Sequence, residues 1–177
     1  GPAAIDDMPS LNHQKKAAKI AKEYLDIDGY KYAMGNIVNS FSQFRESGTS
    51  NDSVHYYVDQ MLEFANEQNS IELEATAYYK LGGFYQWSKK HFDLSESNFY
   101  YKKANELSPQ LSKTFQIQLL NKLYNIAYSN MEYYDQIDLM EKNIKLSKSI
   151  DNNYDQLTSF YFLGLVYCYP LSDFKKS

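Results

Sequence analysis

The sequence predicts an all-α fold built from repeated helix pairs, and three observations favour it. Valine and threonine, which β-strands usually need, are scarce, whereas Ala, Leu, Lys, Glu and Gln fill the long segments. Apolar residues recur with helical spacing along most of the chain, and glycine occurs at similar places inside these segments. With 177 residues, 44% of them apolar, the chain can bury a core without disulfides or metal ions.

The apolar periodicity predicts eight helices and the start of a ninth. Their expected ranges are about 11–27, 30–46, 53–68, 71–88, 93–107, 110–129, 133–149 and 154–168, with the last one beginning near residue 172. Short polar connectors such as Asp28-Gly29 and Ser108-Pro109 separate them, so neighbouring helices are expected to run antiparallel. Residues 1–10 are expected to form a flexible leader, whose Gly1-Pro2 resembles the remnant of a cleaved tag, and residues 11–177 one helical repeat domain.

Glycine placement predicts where helices cross closely. Met34-Gly35, Leu81-Gly82 and Leu163-Gly164 each put a glycine after a large apolar residue, inside a strongly helical segment. A glycine in a helix interior costs about 1 kcal/mol relative to alanine. Repeating that cost at one register predicts three places where a second helix comes too close for a side chain, and therefore a repeat.

Residues 81–109 resemble the tetratricopeptide family. The residues that carry the resemblance are Leu81-Gly82, Tyr85, Ser97, Tyr101, Ala104 and Pro109, and Leu163-Gly164 with Tyr167 looks like the first half of another copy. The copies lie about 40–47 residues apart, longer than the usual 34, which is similar to variants in bacterial sensor kinases and transcription regulators. The resemblance implies a right-handed α-α superhelix of about 3.5–4 helix pairs.

The resemblance also implies a ligand groove, because in this family the first helix of each pair lines the concave surface. The expected groove residues are Tyr32, Asn36, Asn39, Gln43, Tyr79, Gln86, Asn121, Asn125 and Tyr161. Amide side chains can donate to and accept from a peptide backbone, so this row suits an extended peptide. Some family members clamp a chain terminus with a lysine four residues before an asparagine, but Tyr32 occupies that lysine position before Asn36.

The function implied by the resemblance is a protein- or peptide-binding scaffold, or a sensor module of a bacterial signalling or regulatory protein. The alternative is an assembly role, in which some of the 18 tyrosines are exposed and drive formation of a homodimer without a separate ligand. The last copy stops early, at Ser177, which suggests a fragment of a larger protein, since a solenoid end normally carries a capping helix. The sequence does not predict the compartment.

Enzymatic chemistry is not predicted: we expect no catalytic residue, metal site or cofactor. His13, His55 and His91 lie on separate predicted elements without metal-ligand spacing, and Cys168 is expected to be a packed thiol. The stretch from Phe160 to Leu171 is too short to span a membrane and is expected to be a buried helix end.

The charge pattern predicts no nucleic-acid partner, because the net charge is -4 and basic residues are not broadly clustered. The one basic run comprises Lys15, Lys16, Lys19 and Lys22. Two interpretations remain open. The run is either the solvated face of a capping helix, which we favour, or a contact for phosphate or an acidic membrane surface.

Overall fold

The computed structural model describes residues 9–43, 50–88 and 90–173, and the side chains of residues 9–42, 52–88 and 90–168. All regular structure in these ranges is helical, which confirms the predicted all-α class. The α-helices are α1 Pro9–Glu23, α2 Ile27–Gln43, α3 Ser50–Gln68, α4 Ile71–Trp87, α5 Leu94–Leu107, α6 Lys113–Ser129, α7 Tyr133–Lys148 and α8 Asn153–Asp173, and a short 3₁₀ helix, Ser108–Gln110, precedes α6.

The chain divides into two compact units. Unit 1 covers residues 1–107 and contains α1 to α5; within it each helix packs on the next, and α2 also packs on α4. Unit 2 covers residues 108–177, and within it α7 packs against both α6 and α8.

Four of the connections between helices use the same turn, and none of these turns uses glycine. The turn residues have a positive φ and are Leu25 (55°), Asn69 (53°), Met131 (60°) and Asp151 (53°). In each turn the N–H of the next residue donates to a carbonyl five positions earlier; Asp26 N to Ala21 O, at 2.8 Å, is one example. This is the Schellman arrangement, which satisfies the last carbonyls of the helix that ends there.

The turn at Leu25 corrects the predicted connector at Asp28-Gly29. Both of these residues lie in the first turn of α2, and the chain reverses at residues 24–26 instead. Asp26 caps α2, since its Oδ1 accepts from Gly29 N at 2.9 Å. The glycine that suggested a break is therefore part of a helix start.

The cores of the two units differ in size. In unit 1 aromatic and aliphatic side chains interlock across α1 to α4; Tyr30 meets Phe64 edge to face with ring centroids 4.6 Å apart. In unit 2 a smaller cluster buries Tyr124, Met140 and Val166. Unit 1 consequently holds more of the buried apolar surface that stabilises the helices.

The three predicted glycine crossings have different outcomes. A Cβ on Gly82 would lie 2.7 Å from the ring of Tyr101, so the close approach is confirmed there, although the neighbour is an aromatic ring and not a backbone. At Gly35 the nearest atom would be Cε of Lys80, at 3.1 Å. The prediction is wrong at Gly164, because nothing in the described part of the chain lies within 4 Å of that position.

The end of the chain also departs from the prediction. No new helix begins near residue 172, because α8 continues to Asp173. The expected buried helix end is wrong as well: Phe160, Tyr161, Tyr167 and Cys168 are exposed. The reason is that the other helices of unit 2 cover only one side of α8, the side that carries Val166.

Candidate functional site

In unit 1, α2 and α4 lie side by side and polar side chains cross between them. Lys31 on α2 forms an ion pair with Glu72 on α4, with 2.7 Å between Nζ and Oε1. Farther along, Nζ of Lys80 on α4 donates to Oδ1 of Asn39 on α2 at 3.0 Å. These contacts form a polar seam, which we call the α2–α4 face.

Of the predicted groove residues of α2, Asn39 lies on this face through its contact with Lys80. Asn36 is half-buried and Asn39 is exposed. Tyr32 is 71% exposed and also lines a cleft against α1. The side chain of Gln43 lies outside the described ones, so the prediction for that residue has no structural counterpart.

The predicted groove residues of α4 are less accessible. Tyr79 is half-buried, and its burial raises the pKa of the phenol. Gln86 is buried where α4 packs on α5, and its Oε1 accepts a hydrogen bond from the hydroxyl of Tyr101 on α5 at 3.1 Å. Gln86 therefore belongs to the contact between α4 and α5 and is not exposed to a ligand. The sequence could not indicate this, since the partner hydroxyl is fifteen residues away.

In unit 2, two of the three predicted groove residues are exposed and the third is held by another side chain. Asn125 and Tyr161 are exposed. Asn121 is half-buried and accepts from Nδ2 of Asn143 at 2.7 Å, and Asn143 in turn accepts from the hydroxyl of Ser147 at 2.9 Å. Asn121 thus joins a buried polar chain between α6 and α7 that the sequence reasoning missed. The available signal was an asparagine at a core position of α7.

Unit 2 also contains a cleft of about 330 Å³ that the sequence reasoning missed. Its walls are largely aromatic and apolar, with Tyr128, Met131 and Tyr133 among them. Tyr124 also lines it and is 3% exposed; its hydroxyl is buried without a hydrogen-bond partner, and burial raises its pKa.

Exposed aromatic side chains occur in both units, and in unit 1 aromatic rings also stack between helices. Three half-buried tyrosines, Tyr78, Tyr100 and Tyr85, stack in sequence on α4 and α5, with centroid separations of 6.5 Å and 5.8 Å. We call them the tyrosine row. Nε2 of His55 on α3 lies 2.8 Å from the hydroxyl of Tyr85 and ties one end of the row to a third helix.

The basic run of α1 borders a groove of about 320 Å³ between α1 and α3. Lys15, Lys19 and Lys22 line it, together with tyrosines of α2 and α3. Nζ of Lys22 lies 5.2 Å from the ring centroid of Phe64 and 4.0 Å from a carboxylate oxygen of Glu67. These local contacts suit a helix face that packs its lysine stems on apolar surface.

Two further observations bear on chemistry. Within the described residues, no group of three or more His, Cys, Asp or Glu side chains could hold a metal ion. In the same part of the chain, no helix combines the length and apolar character needed to cross a bilayer.

No protein-family model matches the sequence, and no curated protein matches it significantly. The resemblance to tetratricopeptide repeats thus stays a prediction from the residues quoted for it.

Proposed function

We propose that the chain is a scaffold or sensor module that binds a protein or peptide, of the kind found in bacterial signalling and regulatory proteins. We further propose that its helix pairs belong to a right-handed tetratricopeptide-like solenoid, and that it is not an enzyme. The observation that carries the proposal is the α2–α4 face, where α2 carries Tyr32, Asn36 and Asn39 and where Asn39 contacts Lys80 of the adjacent α4.

The chemistry of this face suits an extended backbone. A peptide strand presents alternating N–H and C=O groups, and the Asn36 amide can satisfy one of each. Lys80 can turn from Asn39 to a peptide carbonyl, which also releases the Asn39 amide. Tyr32, which is exposed, offers a large apolar ring with a hydroxyl at low cost in side-chain entropy.

A displayed library of random peptides, selected against the full chain, tests the proposal. The enriched peptide is labelled and its affinity measured by fluorescence anisotropy. We expect the double variant Asn36→Ala and Asn39→Ala to weaken binding about tenfold, the effect of losing one or two hydrogen bonds. The control is Asn66→Ala, an exposed asparagine on α3. Circular dichroism checks that all variants stay helical. Equal affinity of the double variant and the control would refute this site.

A second function, self-association, is favoured by α8. Leu157, Phe160, Tyr161 and Tyr167 are exposed and lie within one helical face, since their spacing is three, four and seven residues. Exposed apolar patches of this kind mark interaction sites. Sedimentation velocity over a wide concentration range should then show a dimer that Leu157→Glu dissociates. A monomer at every concentration would rule this function out.

A further inference from the structure

The tyrosine row forms a partly exposed aromatic surface on a different side of α4 from the α2–α4 face. Tyr78 and Tyr85 are seven residues apart, so they share one side of the helix, whereas Lys80 points toward α2. The rings of Tyr85 and Tyr100 are nearly parallel, with an interplanar angle of 6°. Beside the row Phe99 is 50% exposed. The surface thus spans α4 and α5 and reaches α3 through His55.

The chain itself places a cation on this surface. Nζ of Lys103 lies 5.1 Å from the ring centroid of Tyr78 and 4.8 Å from that of Phe99. Both distances are within the 6 Å range in which a ring face attracts a cation. The two aromatic faces are therefore oriented to hold a positive charge, and Lys103 is an internal occupant.

Carboxylates from three helices surround the row. The pKa of Tyr100 is raised by burial and then by the charges of Glu96 on α5 and Asp59 on α3. The pKa of Tyr78 is raised by burial and then by Glu74 on α4. Asp59 and Glu96 are exposed, so they can pair with a charge that arrives from solvent. Such a surface repels phosphate groups, which argues against a nucleic acid or an acidic membrane here.

We propose that the tyrosine row and its carboxylates bind an arginine-bearing segment of a partner protein, which displaces Lys103 from the aromatic faces. A guanidinium is planar, stacks on tyrosine rings and pairs with carboxylates in a fork, and it is less strongly hydrated than an ammonium group. Arginine consequently fits this surface better than lysine. This inference does not depend on the proposal that a peptide binds at the α2–α4 face, because it rests on different residues.

The test uses the full chain and a labelled synthetic peptide of alternating arginine and glycine, with fluorescence anisotropy as the readout. The double variant Asp59→Asn and Glu96→Gln should weaken binding about tenfold, which corresponds to the loss of two partly exposed charge pairs. The matched control, Asp135→Asn with Asp151→Asn, removes two exposed carboxylates from unit 2. It should change the affinity by less than about twofold, since neither carboxylate is among those whose charges raise the pKa values of the three tyrosines.

Lys103→Met is the sharper variant, because it keeps the length of the side chain and removes the internal cation. Binding of the arginine peptide should tighten about threefold to tenfold, the range expected when a competing cation–π contact is lost. The control is Lys102→Met, the adjacent exposed lysine, which makes the same charge change in another direction on α5.

Three outcomes would overturn the inference. Equal effects of the two carboxylate double variants would show that only net charge matters. Equal effects of Lys103→Met and Lys102→Met would show that the aromatic faces do not hold the incoming cation. Equal or tighter binding of a lysine–glycine peptide would remove the case for arginine. Circular dichroism of each variant establishes that its helices are intact.

Discussion

Replacing Gly82 by alanine should destabilise unit 1, although alanine is the better helix former. Gly82 lies in the middle of α4, and an added Cβ would lie 2.7–2.9 Å from three carbon atoms of the Tyr101 ring. That ring cannot easily move, because Tyr101 is fully buried and its hydroxyl donates to Gln86. The backbone is held as well, since the hydroxyl of Ser97 donates to the carbonyl of Gly82 at 2.8 Å.

The expected magnitude follows from two opposing effects. Overpacking a buried position costs about 1–3 kcal/mol, and a clash with the body of a fixed ring belongs at the upper end, about 3 kcal/mol. Helix propensity returns about 1 kcal/mol when alanine replaces glycine. Gly82→Ala should therefore lower the free energy of unfolding by about 2 kcal/mol. At Gly164, where nothing is close, only propensity acts, so Gly164→Ala should raise it by about 1 kcal/mol.

Urea denaturation measures both effects. The fluorescence of Trp87, the single tryptophan, reports on unit 1, and circular dichroism reports on all helices. The double variant Gly82→Ala with Tyr101→Leu tests the cause, because the cost of the alanine should shrink once the ring is absent. A Gly82→Ala variant as stable as the parent chain, or a cost that persists with Tyr101→Leu, would refute the steric explanation.

Three other predictions concern single residues. Leu25→Gly should raise the free energy of unfolding by about 0.5–1 kcal/mol, because relief of the strain at a φ of 55° exceeds the entropy cost of glycine. Asn69→Gly should have little effect, since asparagine tolerates a positive φ. Equal changes in the free energy of unfolding for the two variants, measured in urea titrations, would contradict this. Tyr124→Phe should leave stability unchanged or raise it by about 1 kcal/mol, since the hydroxyl of Tyr124 is buried without a partner. Tyr101→Phe should cost about 1–2 kcal/mol, because the hydroxyl of Tyr101 donates to Gln86. Thermal melts in which both variants lower the melting temperature equally would refute this difference. Burial, followed by nearby carboxylates, raises the pKa of Tyr30 from 10.0 to about 12. The contribution of Tyr30 to the free energy of unfolding is therefore complete below pH 10 and is lost between pH 10 and 12. Tyr30→Phe should shift alkaline unfolding, followed by circular dichroism, to higher pH, and an unchanged midpoint would count against this cause.

The helices were predictable because their signal is local, whereas several of their boundaries were not, and the end of α1 is the clearest example. Apolar periodicity fixes a helix from its own residues, and all eight predicted helices are present. The turn after α1 depends on Leu25 in a left-handed conformation, which leucine rarely adopts and which no composition rule indicates. Gly29 carried the usual signal of a break and lies inside α2 instead.

Site residues were predictable only as far as exposure follows from helical spacing. Tyr32 and Asn39 are exposed as expected for one stripe of α2. Gln86 lies on the corresponding stripe of α4 but is fixed by Tyr101, and Asn121 is fixed by Asn143. In both cases the partner belongs to the following helix, so the outcome depends on how two helices pack and not on the spacing within one.

The two proposed surfaces of unit 1 meet at α4 and differ in how firmly they are held. On one side buried contacts lock α4 to α5, among them the hydrogen bond from Tyr101 to Gln86. On the other side the contacts to α2 are solvent-exposed, and exposed ion pairs such as Lys31 with Glu72 contribute only about 0–1 kcal/mol. A ligand at the tyrosine row thus displaces Lys103 from rings that are already in place, whereas a ligand at the α2–α4 face displaces Lys80 from Asn39, where the helices themselves are held less firmly. Because both exchanges are electrostatic, binding at either surface should depend on the charges that the ligand brings, and the tyrosine row should also select by the shape of the cation.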